Sequence, residues 1–218
     1  MATPGEISTE IQKQIIRGIV VLRQGGLVAF PTDTVYGLGA CAFNQTAVAK
    51  VYRVKVRPRH MALPLLLADT SQINEVAYHV PPVAWLLADK FLPGALTLVL
   101  AKSSSVPDIV TGSGSTVAVR VPDHPVPVTL ARDLGPIVGT SANISGEPSP
   151  LTAKEVNRQF SDAIDFIIDG GWCPGGTEST IIDVTGDKPI ILREGAISRE
   201  EISQVLQGHL TLPYLPPK

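Results

Sequence analysis

The sequence predicts one α/β domain built on a twisted, open mixed sheet flanked by helices. Short apolar segments alternate with amphipathic ones along the whole chain, and no long linker or internal repeat interrupts them. Composition agrees: 218 residues with 44% hydrophobic and 17% charged side chains can bury a proper core and are too apolar for a disordered chain.

Residues 8–23 read as an amphipathic helix, with Ile11, Ile15, Ile19 and Leu22 at helical spacing and Thr9 and Gln12 as a capping-box pair. Gly25 and Gly26 end it, and residues 27–30 form a short buried strand. After a loop that starts at Pro31, Asn44 caps a second helix bearing Val48, Val51 and Tyr52. Residues 63–67 are strand-like. Pro81 and Pro82 open a helix carrying Trp85, Leu86 and Phe91, because proline suits the first helical turn. Strands at 96–100 and 116–121, a short helix at 127–133 and a strand at 137–139 follow. Thr152 with Glu155, and Ser198 with Glu201, mark two later helices by capping boxes. Strands at 166–168, 179–184 and 190–192 lie between them. The domain is expected to span residues 8–207, with an irregular tail over 208–218.

Several function classes are disfavoured. A net charge of −2 gives no global pull toward nucleic acid or anionic membrane, so any anion-binding face is local. Cys41 and Cys173 make neither a disulfide framework nor a zinc pattern. Cys41 sits in an apolar stretch and reads as a small buried hydrophobe. The four histidines, His60, His79, His124 and His209, lack ligand spacing. The first ten residues do not read as a targeting peptide, and no apolar run approaches the ~18 residues of a membrane span. The expectation is a reduced, cytoplasmic protein. The stretch from Gly37 to Ala42 nominally fits a dinucleotide fingerprint, but six residues separate it from the preceding strand and no helix starts at its end.

Chemistry concentrates in loops at strand ends, where α/β folds bind ligands. Pro31-Thr-Asp-Thr-Val-Tyr-Gly-Leu-Gly39 places hydroxyls and glycines directly after a buried strand. Lys55, Arg57 and Arg59 put three cations at the end of the second helix, suited to a triphosphate and also to the helix dipole. Thr116, Ala118 and Arg120 share one face of a strand by period two. An arginine inside an apolar strand is costly unless it meets an anion, which makes Arg120 conspicuous. Gly139-Thr-Ser-Ala-Asn-Ile-Ser-Gly146 and Gly175-Gly-Thr-Glu-Ser-Thr180 are hydroxyl-rich turns, and Arg193 ends another strand. Backbone amides in such turns form anion nests. Together these describe hydroxyls, amides and cations without an obvious nucleophile or metal cage, as nucleotidyl transfer requires.

Six ordered motifs carry a family resemblance. They are Pro31-Thr-Asp-Thr-Val-Tyr-Gly-Leu, Lys55-x-Arg57-Pro58, Pro93-Gly-Ala-Leu-Thr-Leu, Val119-Arg-Val-Pro-Asp-His, Thr140-Ser-Ala-Asn-x-Ser-Gly and Ser179-Thr-Ile-Ile-Asp. The chain resembles the threonylcarbamoyl-AMP synthase family of the YrdC/TsaC type from about residue 18 to 206. The resemblance implies an open sheet with a concave, positively lined cleft. It implies formation of threonylcarbamoyl-AMP and pyrophosphate from L-threonine, bicarbonate or CO2, and ATP with Mg²⁺. A transferase machinery then passes the threonylcarbamoyl group to tRNA, and a direct RNA contact stays open. By motif position, Thr34, Arg120 and Ser179 resemble the threonine-binding residues, with Arg120 facing the carboxylate. Arg57, Thr116, Ser141, Asn143, Ser149 and Arg193 resemble the nucleotide set, and Lys55 with Arg57 the catalytic cations.

One departure stands out. The run from Pro58 to Leu65 is about two residues longer than usual for the family, and Leu63 replaces a polar residue before Pro64. Arg59 or His60 is the expected substitute for that contact. The carbamoyl-adenylate domain of hydrogenase-maturation proteins is the alternative enzyme reading, but the chain has neither the cysteines nor the length for their accessory domains. The additional C-terminal domain of longer synthases is likewise not expected. Five Phe, four Tyr and two Trp, with the net charge, do not favour a broad RNA surface.

Overall fold

A computed structural model describes residues 8–206. The expected tail at 208–218 lies outside the described residues. Helix α1 (Thr9–Arg23) packs its Ile15, Ile19 and Leu22 inward. Its cap is Ser8 and not Thr9: the Ser8 hydroxyl accepts from the Ile11 amide at 3.3 Å. Strands β1 (Val28–Phe30) and β2 (Gly37–Cys41) follow, then helix α2 (Gln45–Val54), whose Asn44 cap accepts from the Ala47 amide. Next come β3 (Leu65–Leu66), a 3-10 turn (Thr70–Gln72), α3 (Ile73–Val76) and α4 (Pro82–Phe91). Strands β4 (Leu96–Ala101) and β5 (Thr116–Arg120), helix α5 (Pro125–Leu134) and β6 (Ile137–Ser141) form the middle of the chain. Helix α6 (Ala153–Phe160), a 3-10 turn (Ser161–Ala163), β7 (Phe166–Ile167), β8 (Thr180–Asp183), β9 (Ile190–Arg193) and α7 (Arg199–Leu206) complete it.

The expected capping boxes close reciprocally. Thr152 and Glu155 do so at α6, and Ser198 and Glu201 do so ahead of α7. The strands form a nine-stranded mixed sheet in the order β7-β1-β2-β6-β3-β5-β4-β8-β9. Pairs β1–β7, β3–β5 and β4–β8 are parallel, and the other neighbours are antiparallel.

Strand β2 corrects the loop expected after Pro31. Its glycines are there for packing: Phe30 pairs with Gly37, and a Cβ on Gly37 or Gly39 would sit 2.7 or 2.6 Å from the Phe30 ring. The aromatic ring fills the space that two side chains would otherwise take. This accounts for the false dinucleotide fingerprint.

Alternation along the strands sorts the sheet into two unequal faces. Leu38, Leu65, Leu96, Leu98, Val117, Val119, Val138 and Ile182 point to one face and merge with α2, α4 and α6 into the main core. The opposite face is covered over β1, Leu66 and Ile137 by α1 and α5, which contribute Ile15, Leu22, Val126 and Leu130. Beyond them, Thr97, Val99, Ala118, Arg120, Gly139, Ile181 and Leu192 of the same sheet line a cleft. Among the described residues no helix is long and apolar enough to cross a membrane.

Candidate active site

The cleft has a volume of about 430 Å³ and follows the part of the sheet that α1 and α5 leave uncovered. Its walls are the loop after β1, the end of α2, the turn after β6, and the segment leading into β8. Lys55, Arg57, Arg120 and Arg193 line it, with Glu178 as a carboxylate among them.

Arg120 ends β5 and is 7% exposed. Its Nε donates to the Gly94 carbonyl at 2.9 Å, Nη1 to Thr34 Oγ1 at 2.9 Å and Nη2 to Asp33 Oδ1 at 2.6 Å. The anion that its burial demands is therefore supplied by Asp33. Burial pulls its pKa below the usual arginine range and Asp33 opposes the shift. Thr34 is held in turn by its neighbour: Thr32 Oγ1 accepts from the Thr34 amide at 3.0 Å and donates to the Val35 carbonyl at 2.7 Å.

Ser179 precedes β8, and its hydroxyl lies 2.8 Å from Thr97 Oγ1 and 3.3 Å from Arg193 Nη2. Arg193 also donates to the Ser179 carbonyl through Nε and Nη2, and pairs through Nη1 with Glu178. The other Glu178 oxygen accepts from Ser149 Oγ at 2.6 Å.

Lys55 follows the last turn of α2 and is 1% exposed. Its ammonium donates to the Ser141 carbonyl at 2.5 Å, the Asn143 carbonyl at 2.6 Å and Asn143 Oδ1 at 3.2 Å. Burial pushes its pKa down to about 8; Arg57 adds to the shift and Glu178 opposes it. Arg57 donates through Nε to the Met61 carbonyl at 3.2 Å and through Nη2 to the Ala62 carbonyl at 2.9 Å.

The structure thus brings Thr34, Lys55, Arg57, Arg120, Ser141, Asn143, Ser179 and Arg193 to one cleft. Thr116 and Ser149 stand outside its lining: Thr116 opens β5, two steps before Ala118, and Ser149 reaches the cleft through Glu178. Where the longer segment after Arg57 runs, Met61 and Ala62 line the cleft, and Arg59 and His60 do not. Asp33, Thr97 and Glu178 received no role from the sequence. The lone hydroxyl of Thr97 in an apolar strand was the readable signal. Among the described residues, no group of three or more His, Cys, Asp or Glu side chains is placed to hold a metal.

A family model labelled Sua5/YciO/YrdC and described as "Telomere recombination" matches residues 20–195. The chain belongs to the Sua5/YciO/YrdC family. It is 46% identical to a threonylcarbamoyl-AMP synthase of Pyrococcus abyssi over 186 residues, covering 85% of this chain and 55% of that protein. A Bacillus subtilis threonylcarbamoyl-AMP synthase is 43% identical over 203 residues, covering 92% and 58%. The chain therefore spans little more than half the length of these two relatives. The crystal structure of P. abyssi Sua5 complexed with L-threonine superimposes with a TM-score of 0.90 at 43% identity, covering 95% of this chain and 61% of that one. The Sua5/YciO/YrdC fold thus accounts for the large mixed sheet and the helices that flank it.

Proposed function

We propose that this Sua5/YciO/YrdC protein forms threonylcarbamoyl-AMP and pyrophosphate from L-threonine, bicarbonate or CO2, and ATP. The observation that carries the reading is the junction at Ser179, whose hydroxyl lies beside both Thr97 and Arg193. Ser179 belongs to the set read as threonine-binding and Arg193 to the set read as nucleotide-binding, and their contact at that one atom supports a site where the two substrates lie side by side. The names of the relatives and the threonine complex of P. abyssi Sua5 support the same reading.

In this scheme the threonine nitrogen loses a proton and forms a C–N bond to CO2. The carbamate oxygen then attacks the α-phosphorus, and the bond to the bridging oxygen of pyrophosphate breaks. Arg120 and Thr34 orient the amino acid, and Arg57 and Arg193 offset the charge on the phosphates. Ser141, Asn143 and Ser149 complete the nucleotide side, with Thr116 at its margin. Lys55 holds the turn over residues 141–143 by its three hydrogen bonds. Catalysis here rests on positioning and electrostatics. The cleft carboxylates do not fit a dedicated Mg²⁺ site, since Asp33 is paired with Arg120 and Glu178 with Arg193. Mg²⁺ is therefore assigned to the ATP it accompanies and to no separate step. The product is an activated acyl donor for a tRNA-modifying transferase, and a cytoplasmic protein is the reading that goes with it.

The test is pyrophosphate release from ATP, Mg²⁺ and bicarbonate with and without L-threonine, in wild type and Ser179→Ala. Threonine-dependent release that falls at least about tenfold in the variant is expected, the scale of one lost charge-assisted contact. Well-folded wild type that releases no pyrophosphate in response to threonine would overturn the reading.

A further inference from the structure

The nucleotide half of the cleft contains a carboxylate where a phosphate ligand must enter. Glu178 lines the cleft and uses both oxygens on residues of the nucleotide set, one on Ser149 and one on Arg193. Arg193 is otherwise engaged: Nε and Nη2 donate to the Ser179 carbonyl, and Nη2 also to its hydroxyl. A guanidinium has five N–H donors, so the face toward Glu178 is what Arg193 has left for an anion. Glu178 cannot slide out of the way along the chain. Its carbonyl accepts from the Ala196 amide at 2.9 Å, and a Cβ on Gly195 would lie 2.2 Å from that carbonyl oxygen. The backbone is clamped and only the side chain can turn.

We propose that Glu178 is an internal competitor for the phosphate subsite, holding on Arg193 and Ser149 the anion position that a polyphosphate takes. Resting on the synthase reading above, this makes Glu178 a specificity-determining residue of that site. A polyphosphate entering the cleft displaces the carboxylate by offering several oxygens to Arg57 and Arg193 together. A single small anion gains less and competes poorly. The same carboxylate returns to Arg193 as pyrophosphate leaves and so favours release. The carboxylate also acts on the other cations, since it raises the proton affinity of Lys55 and Arg57.

The experiment measures binding of ATP and of pyrophosphate alone by calorimetry in wild type, Glu178→Gln and Glu178→Asp. Glutamine keeps an acceptor for Ser149 but turns its amide donors on Arg193, which frees the guanidinium. Glu178→Gln is expected to bind both ligands about two- to fivefold more tightly, the scale of a half-exposed ion pair. Glu178→Asp keeps the charge on a side chain one methylene shorter and is expected to fall between wild type and Glu178→Gln. Steady-state kinetics of Glu178→Gln would show a lower KM for ATP with stronger product inhibition by pyrophosphate, a split that a merely structural role does not produce. Unchanged or weaker binding in Glu178→Gln, at an unchanged melting temperature, overturns the proposal. Binding of pyrophosphate by neither protein overturns it as well. Tighter pyrophosphate binding in the variant without threonine-dependent turnover in wild type would keep the competitor and remove the synthase reading.

Discussion

Lys55 and Asn143 are joined twice: one ammonium donates to both the main-chain and the side-chain oxygen of the asparagine, at 2.6 and 3.2 Å. With the Ser141 carbonyl as third acceptor, all three N–H donors of a 1% exposed lysine are committed to the turn after β6. Lys55→Met keeps the unbranched chain as far as Cε, removes the ammonium and leaves those oxygens without a donor. The expected loss is about 1.5–3 kcal/mol of unfolding free energy, the range for hydrogen bonds to a charged group. Urea denaturation measures it, and ATP affinity should fall with it because Ser141 and Asn143 lose their anchor.

The same lysine imposes a pH dependence of definite sign. Its folded-state pKa, pushed down to about 8, lies below the ordinary 10.5. Between those values the unfolded chain keeps a proton that the folded chain has released. The unfolded state binds more protons, so the Lys55 contribution to stability rises with pH from about 8 to 10.5 and is lost as pH falls back through 8. Nucleotide binding moves the other way, because the cleft loses a positive charge over the same rise. Unfolding free energies from pH 7.5 to 10, wild type minus Lys55→Met, should climb with pH. A flat difference would show that Lys55 titrates elsewhere.

Much of this was legible from residue types. Period-two alternation marked Arg120 as facing away from the core side of β5, and the need of a buried guanidinium for an anion was clear from the strand alone. Its partner was not, because Asp33 stands 87 residues away in sequence and sits in a turn that reads like any other Asp-Thr turn. Strand β2 was missed because glycine carries no strand signal of its own. Only the cross-strand pairing of Phe30 with Gly37 shows why small residues are required there. Glu178 was invisible for a different reason: a carboxylate in a cationic cleft opposes the simplest reading of an anion site.

The Arg120–Asp33 pair gives a prediction that links stability to substrate. Their side chains are 9% and 16% exposed, so removing the carboxylate leaves a nearly buried cation without its partner. Asp33→Ala should lower stability by about 3–5 kcal/mol. L-threonine brings a carboxylate, and it should raise the melting temperature of Asp33→Ala by more than it raises that of wild type. Equal shifts in a thermal-shift titration would count against Arg120 as the shared partner of the two carboxylates.

Val56 separates the two cations at the end of α2 and adopts φ 51° while 73% exposed. A β-branched residue in this left-handed region costs about 1–2 kcal/mol. The turn it makes closes α2, with the Arg57 amide bonded to the Tyr52 carbonyl at 2.9 Å, and directs Lys55 inward and Arg57 toward Met61 and Ala62. Val56→Gly relieves the strain and adds about 0.5–1 kcal/mol of unfolded-state entropy, so a net stabilisation of about 0.5–1 kcal/mol is expected. Chemical denaturation of the variant measures it, and a destabilised protein would mean that the Val56 side chain makes a contact outweighing the strain.

Gly175 offers the sharpest test of how closely the loop before β8 must approach Thr34, in the half of the cleft proposed for threonine. A Cβ there would lie 2.4 Å from the Asp33 carbonyl oxygen and 2.9 Å from the Thr34 Cα. Both are backbone atoms, so no rotamer change can make room. The adjacent Gly176 amide donates to the Thr34 carbonyl at 3.0 Å and fixes the spacing of the two segments. Gly175→Ala must therefore push the loop away from Thr34 and break that bond, while the end of α2 and the turn after β6 stay in place and the bond from the Ala196 amide to the Glu178 carbonyl holds the far end of the loop. Threonine affinity should drop about tenfold or more, in line with the sensitivity of an oriented site to a displacement of about 1 Å, with ATP affinity changed by much less. Separate titrations of the two ligands decide it: an equal loss of both would mean that the halves of the cleft are coupled through this loop.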